Sequence, residues 1–355
     1  MNFASDNVRG VAAPILRALS EGMGGSVPAY GADPVTGDLE PLFADLFGCP
    51  VAVLPVATGG AANGLALSAL SPPYGGIFCH EEAHIAVDEC GAPEFFTGGA
   101  KLILLPGTAG KIDPAALQAA IERTGHRGLH GVKPAALSLT QLTEHGTAYS
   151  AAEIGALSAI ARRHGMAVHM DGARFANAVA GLEADPADLT WRAGVDMLSF
   201  GATKNGCLMA EAVIAFNPTN AMRRDLAYRR KRAGQLVSKH RFLALQLRAY
   251  LADGLWLDLA RHANRQAARL ADGLSRLPGI DLLYPVDGNE VFIEMAPCLA
   301  KTLADKGVGM NQWPDGTWRL VTAFDTDPAD VDRALALAKE ATQAVAGLAS
   351  EPPLD

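Results

Sequence analysis

From about residue 50 to residue 216, short apolar runs alternate with longer stretches of helical pattern. The runs are Val51–Leu54, Ile77–Cys79, Leu102–Leu105, Ala135–Leu139, Ala167–Met170, Met197–Ser199 and Val213–Phe216. Candidate helices lie between them, among them Ala61–Leu70, Asp113–Arg123 and Ala151–His164. Asp113-Pro114 places an N-cap residue before a proline at the first helical position. Ser150 and Glu153 fit a capping box. His164-Gly165 puts a cation in a last turn and a glycine just past it. Strands that alternate with helices imply an α/β fold with a mainly parallel sheet covered on both faces.

Past residue 218 the pattern changes. Residues 219–275 read as long helix, dense in Arg and Leu and kinked or broken at Gly254. A smaller α+β unit follows, with strands at Ile280–Leu283, Glu290–Met295 and Arg319–Thr322 and a closing helix, Pro328–Ala346. The expected organisation is an N-terminal arm (1–35), a large α/β domain (36–250) and a small C-terminal α+β domain (251–355). The arm, rich in glycine and polar residues, is expected to wrap a site or a partner subunit rather than add to the core. The tail Ser350–Asp355 is expected to be loose.

At 355 residues the chain is too long for one simple core, and 49% hydrophobic against 19% charged residues leaves ample material to bury. A net charge of −8 argues against nucleic acid or an anionic membrane as partner. No apolar run approaches a membrane span, and Met1–Asp6 shows no basic segment followed by an apolar one, so no secretory signal is read. Five scattered cysteines without CxxC spacing suggest free thiols in a reducing cytoplasm, and no metal site is expected.

Two segments carry the chemistry. Val168–Arg174 is an apolar run closed by Asp171, and Leu198–Gly206 is another, followed by Lys204 among small neighbours. A Lys that forms a Schiff base with an aldehyde and an Asp that holds a pyridinium proton are what pyridoxal 5′-phosphate (PLP) requires. Asp171 would otherwise be an N-cap for the helix near Arg174, and Lys204 alone would be an exposed loop lysine. Ligand groups of open α/β sheets gather at the carboxyl ends of strands, where both residues fall. Thr203 can reach a phosphate. Arg174 can grip a substrate carboxylate. Thr58-Gly59-Gly60 opens a helix after an apolar run, where free N–H groups bind phosphate. There is no Walker A pattern and no GxGxxG spacing, so a nucleotide site is unsupported. His84 at a strand edge can stack on a pyridine ring or act as a base, and His130 invites the same reading. The basic run Arg223–Arg232 is by default a solvated helix face, with one phosphate contact across a subunit interface as the alternative.

With these residues in place, the chain resembles the low-specificity L-threonine aldolases, fold-type I PLP enzymes of the aspartate aminotransferase superfamily. The resemblance runs along nearly the whole chain. It includes Phe3–Asn7, Ala29–Asp33, Ala61–Asn63, Asp88–Phe96, Thr143–Thr147, His169–Phe175, Gly201–Gly206, Lys231–Gln235 and His262–Asn264. It implies a PLP-dependent transferase-like large domain with a mostly parallel seven-stranded sheet. It further implies that Lys204 carries the cofactor, Asp171 pairs with its ring nitrogen and His84 stacks on its face. Thr58, Gly59 and Gly60 would fall on the phosphate loop and Lys231 would reach the phosphate. Ser5, Arg174 and Arg319 would hold the substrate carboxylate, His130 would lie near the substrate hydroxyl, and Tyr30 would close the site from a neighbouring subunit. A homotetramer built as a dimer of dimers, with sites at the dimer interface, is the implied assembly. Two departures stand out: Gly59-Gly60 where the family usually has Gly-Thr, and Ala323-Phe324 where some relatives carry a polar residue.

The expected reaction is retro-aldol cleavage of a β-hydroxy-α-amino acid to glycine and an aldehyde. The base would be His84, or a water held by His84 and His130. The alternative is another PLP-dependent β-eliminating lyase or an aminotransferase acting on a small L-amino acid. A non-catalytic PLP binder would have no need of Ser5, Arg174 and Arg319.

Overall fold

In the computed structural model, which describes residues 1–313 and 315–349, all seven apolar runs pair into one sheet. The strands are β1 (Val51–Val56), β2 (Gly75–His80), β3 (Lys101–Leu105), β4 (Lys133–Thr140), β5 (Ala167–Gly172), β6 (Met197–Gly201) and β7 (Glu211–Phe216). Their order across the sheet is β1-β7-β6-β5-β4-β2-β3. Neighbours pair in parallel except β7, which runs against both β1 and β6. The architecture is therefore α/β with a mostly parallel sheet. Six strands end on one edge, and the reversed β7 begins there. Its first residue, Glu211, sits opposite both Val56 and Gly201.

Local chemistry sets the helices that cover the sheet. Thr58 caps Gly59–Leu70 by accepting from Ala61 N–H, and Asp113 caps Pro114–Gly125 through Ala116 N–H. Ser150 and Glu153 form both halves of the capping box on Ala151–Arg163. Phe43, Phe47, Phe175, Phe200 and Trp256 meet in the main core, with Phe43 and Phe200 edge to face at 5.1 Å.

The stretch 219–275 is not one long helix. It consists of Asn220–Arg232, Arg241–Leu251 and Leu255–Leu274. The expected break at Gly254 is present, with Asp253 and Gly254 both at positive φ (51° and 74°). A second break follows Arg232, where Gly234 at φ 73° ends the helix in the left-handed conformation that glycine adopts at least cost. The C-terminal unit is a four-stranded antiparallel sheet of β8 (Ile280–Leu282), β9 (Glu290–Met295), β10 (Asn311–Gln312) and β11 (Trp318–Val321), in the order β8-β9-β11-β10. The helices Leu255–Leu274, Pro297–Asp305 and Pro328–Ala349 pack with it.

The N-terminal arm does add to the core, contrary to expectation. Phe3 is fully buried in the apolar cluster of the C-terminal sheet, and Ile15 in the main core. Backbone bonds from Phe3 N–H to Gly309 and from Val321 N–H to Phe3 tie the arm down. A polar, glycine-rich composition hid two apolar anchors, of which Phe3 finds partners some 300 residues away and Ile15 packs in the main core. Ser350–Asp355 lies outside the described residues.

Candidate active site

The sheet edge where β1, β4, β5 and β6 end carries a cavity of about 380 Å³. Its walls include Thr58, Gly59, Gly60, His84, Asp171, Arg174, Thr203 and Lys204, so eight of the expected residues converge on one space. Asp171 and Ser199 are register partners on β5 and β6, and Lys204 follows β6 by three residues. Two side chains steady the lysine's turn: Asn205 Nδ2 donates to Tyr250 Oη at 2.6 Å and to the Trp256 carbonyl at 2.8 Å. Lys204 makes no ion pair among the described residues.

Asp171 is buried and doubly bound. It accepts from Ala173 N–H at 3.0 Å and from Asn63 Nδ2 at 2.7 Å. The same Asn63 amide donates to Glu89 Oε1 at 2.8 Å, and that oxygen also meets His84 Nδ1 at 2.8 Å. The side-chain nitrogen and oxygen atoms that join His84, Glu89 and Asp171 thus lie within 4.8 Å of one another. The Glu89 hydrogen bond raises the His84 pKa despite partial burial. Below Asp171 on the same strand, His169 bridges Ser138 (2.9 Å) and Ser199 (3.0 Å), and burial lowers its pKa to about 4. A neutral imidazole there links three strands under the site.

Gly59 and Gly60 begin a helix with N–H groups that find no acceptor among the described residues, whereas Ala61 N–H is already capped by Thr58. A Cβ at Gly59 would meet nothing within 4 Å, so this turn faces open space. Ala57 N–H donates to Gln235 Oε1 at 3.0 Å and fixes the loop from behind. Thr203 Oγ1 accepts from Ala210 N–H at 3.1 Å, closing the loop that carries Lys204.

Arg174 is only partly available. Its Nε and Nη2 donate to Asp6 Oδ2 and Oδ1 at 2.8 and 3.0 Å, and Glu290 Oε1 lies 3.4 Å from Nη2. A carboxylate ligand is left the Nη1 end. Burial opposes the charge of Arg174, but Asp6 and Glu290 outweigh it and raise the pKa. Arg319 stands 3.5 Å from the same Glu290 oxygen and lines an adjoining hollow of about 600 Å³. Ser5 is half-buried and accepts from Asn7 N–H, and it is Asn7 that reaches the cavity wall.

Five expected residues do not line this cavity: Ser5, Arg319, His130, Tyr30 and Lys231. His130 is exposed and precedes β4, at the opposite sheet edge, where it lines a separate surface hollow with Tyr74 and Lys101. A place beside His84 within one chain is thereby corrected, because a residue before a strand cannot reach the edge where that strand ends. Tyr30 is 52% exposed, and Lys231, also exposed, sits 4.6 Å from its ring centre. Conversely, Asn63, Glu89, Glu144 and Glu211 contribute to the site without having been singled out. Burial lifts the Glu144 and Glu211 carboxyls to about 7.

The residues present fit PLP: a lysine without an ion pair, a buried carboxylate at a neighbouring strand end, and open N–H groups at a glycine turn around one cavity of suitable size. The beta-eliminating lyase family model matches residues 2–297. A low-specificity L-threonine aldolase of Pseudomonas aeruginosa is 42% identical over 340 residues, covering 95% of this chain and 96% of that protein. One from a Pseudomonas sp. strain is 41% identical, covering 93% and 94%. The solved structure of Leishmania major threonine aldolase superposes with a TM-score of 0.89 at 28% identity, covering 96% of this chain and 99% of that one. The chain therefore belongs to the low-specificity L-threonine aldolases within the beta-eliminating lyase family.

Proposed function

We propose that this protein cleaves L-threonine, L-allo-threonine and related β-hydroxy-α-amino acids reversibly to glycine and an aldehyde, using PLP. The observation that carries the reading is the meeting of Asp171, Lys204 and Arg174 in one cavity of a chain 42% identical along nearly its whole length to a threonine aldolase. PLP, when bound, supplies an electron sink conjugated to the substrate amine.

The chain's own groups have the following roles. Lys204 would hold the cofactor covalently and give way to the substrate amine. Asp171, held by two hydrogen-bond donors, would keep a proton on the ring nitrogen. Gly59, Gly60, Thr58 and Thr203 would bind the phosphate, and the His84 ring would cover the cofactor face. Arg174, through Nη1, and Arg319, across Glu290, would orient the substrate carboxylate, with Ser5 beside them.

Tyr30, Lys231 and His130 lie outside the chain's own cavity, which supports an assembly in which copies complete one another's sites. A homo-oligomer of dimers is the form we propose. All five cysteines are free, and no helix among the described residues is long and apolar enough to cross a membrane. Both are compatible with the cytoplasmic location we propose.

The test is a product assay over L-threonine, L-allo-threonine, L-phenylserine and L-serine. Acetaldehyde and glycine in equal amounts from L-threonine are expected, and Lys204→Ala should abolish both. Formation of a 2-oxo acid instead would replace retro-aldol cleavage by elimination or transamination.

A further inference from the structure

Glu144 is a carboxyl group on the cavity wall. Glu144 follows β4 and is, among the described residues, the one side chain that lines both the 380 Å³ cavity and the adjoining 600 Å³ hollow. Its Oε1 accepts from the backbone N–H of His84 at 3.0 Å. Its Oε2 has no hydrogen-bond partner among the described residues and is not sealed in protein. The group is therefore fixed at one oxygen and open at the other, at the passage between the two spaces.

The groups facing it are Asp171 and Arg174 from the end of β5, Lys204 from the loop after β6, Glu290 from β9 and His84 from its own hydrogen bond. Glu82, Asp88, Asp315 and Arg319 face it from the hollow. Burial foremost, then the Asp171 charge, lifts its pKa to about 7, with His84 acting in the other direction. Such a carboxyl exchanges a proton readily near neutrality. His84 is less suited to accept one, because its bond to Glu89 favours the charged imidazolium.

We propose that Glu144, rather than His84, accepts the β-hydroxyl proton of the substrate during Cα–Cβ cleavage. The proposal rests on the retro-aldol reading. The O–H bond breaks toward Glu144, and its electron pair becomes the second bond of the aldehyde carbonyl. The Cα–Cβ bond breaks with its pair left on the Cα side, and a proton delivered to Cα completes glycine. The aldehyde then has the hollow beyond Glu144 as its way out.

The decisive variant is Glu144→Gln in the holoenzyme. It keeps an oxygen for His84 N–H but cannot take up a proton. Expected are a fall in kcat for L-threonine of about 10²-fold or more, an unchanged absorbance of bound PLP, and loss of the decline in kcat/KM below about pH 7. Infrared titration of the full-length protein should lose a carboxylic C=O band that appears as the pH falls through 7. Glu144→Asp should keep measurable activity with a displaced acidic limb. Activity of Glu144→Gln within threefold of the parent with the same limb overturns the proposal. If Glu144→Gln fails to fold, an unmoved limb in Glu144→Asp overturns it equally. A parent enzyme that forms no acetaldehyde defeats the retro-aldol reading itself, whereas an active parent matched by Glu144→Gln defeats only the role of Glu144.

Discussion

Asp6 grips Arg174 at two points, 2.8 Å from Nε and 3.0 Å from Nη2, across 168 residues of sequence. Both are buried, and Asn289 Nδ2 adds a 3.1 Å donor to the carboxylate. The pair anchors the N-terminal arm at the wall of the cavity. Removing one member of a buried pair leaves the other uncompensated, which costs about 3–5 kcal/mol. Glu290 stays beside Arg174, so Asp6→Ala is expected to cost roughly 3 kcal/mol, at the low end of that range. Urea unfolding at neutral pH measures this directly.

The same pair sets an acid limit. Burial opposes the Asp6 charge, but Arg174 and Lys204 prevail and lower its pKa below 3.8. A carboxyl depressed by folding contributes stability above its unfolded pKa of about 3.9 and loses it as pH falls through the lower folded value. Between pH 5 and pH 2, the parent should therefore lose stability more steeply than Asp6→Asn. Parallel slopes in chemical denaturation over that range would refute the linkage.

Much of the scaffold is legible in the chain because strand and helix periodicities are local. Each of the seven apolar runs became a strand, and the breaks at Ser150 and Gly254 follow from capping and turn chemistry. Asp171 and Lys204 could be found because strand ends of a parallel sheet share one edge. The hidden parts depend on pairings distant in sequence. Nothing around Asp6 announces a partner at Arg174, and nothing around Glu211 announces that β7 also pairs with the distant β1. His130, which precedes β4, lies at the other edge of its own chain's sheet.

Asn63 donates through one amide nitrogen to both Asp171 and Glu89, at 2.7 and 2.8 Å. Hydrogen bonds to charged groups contribute about 1.5–3 kcal/mol each. Asn63→Ala would leave two close carboxylates without their shared donor. Asp171, no longer held in place by that donor, would be a poorer partner for a charged pyridinium. The expected result is PLP affinity reduced by about 10–100-fold, the equivalent of one such bond. Equilibrium dialysis against PLP measures it, and an affinity within twofold of the parent would rule out this role for Asn63.

Glu89 Oε1 lies 2.8 Å from His84 Nδ1 and is the main cause of the raised His84 pKa. Glu89→Gln retains an acceptor but removes the charge that stabilises the imidazolium. The His84 ring should then titrate at lower pH, toward or below its ordinary value of about 6.5. The shift is readable from the His84 ring protons by NMR. A midpoint that stays put or rises would show that Glu89 is not what holds the proton on His84.

Gly59 stands at the first position of its helix, and a Cβ there would enter open space. For folding, then, alanine is tolerated: Gly→Ala at a compatible position stabilises by about 0.4–1 kcal/mol through the unfolded chain. For binding, the methyl group would enter the space where the proposed phosphate site lies, beside the free N–H groups of the turn. Gly59→Ala is thus expected to raise the thermal midpoint of the protein without cofactor while weakening PLP binding by at least tenfold. The opposite signs separate a ligand cradle from an ordinary turn. If both stability and PLP affinity rise together, the phosphate does not sit at this glycine.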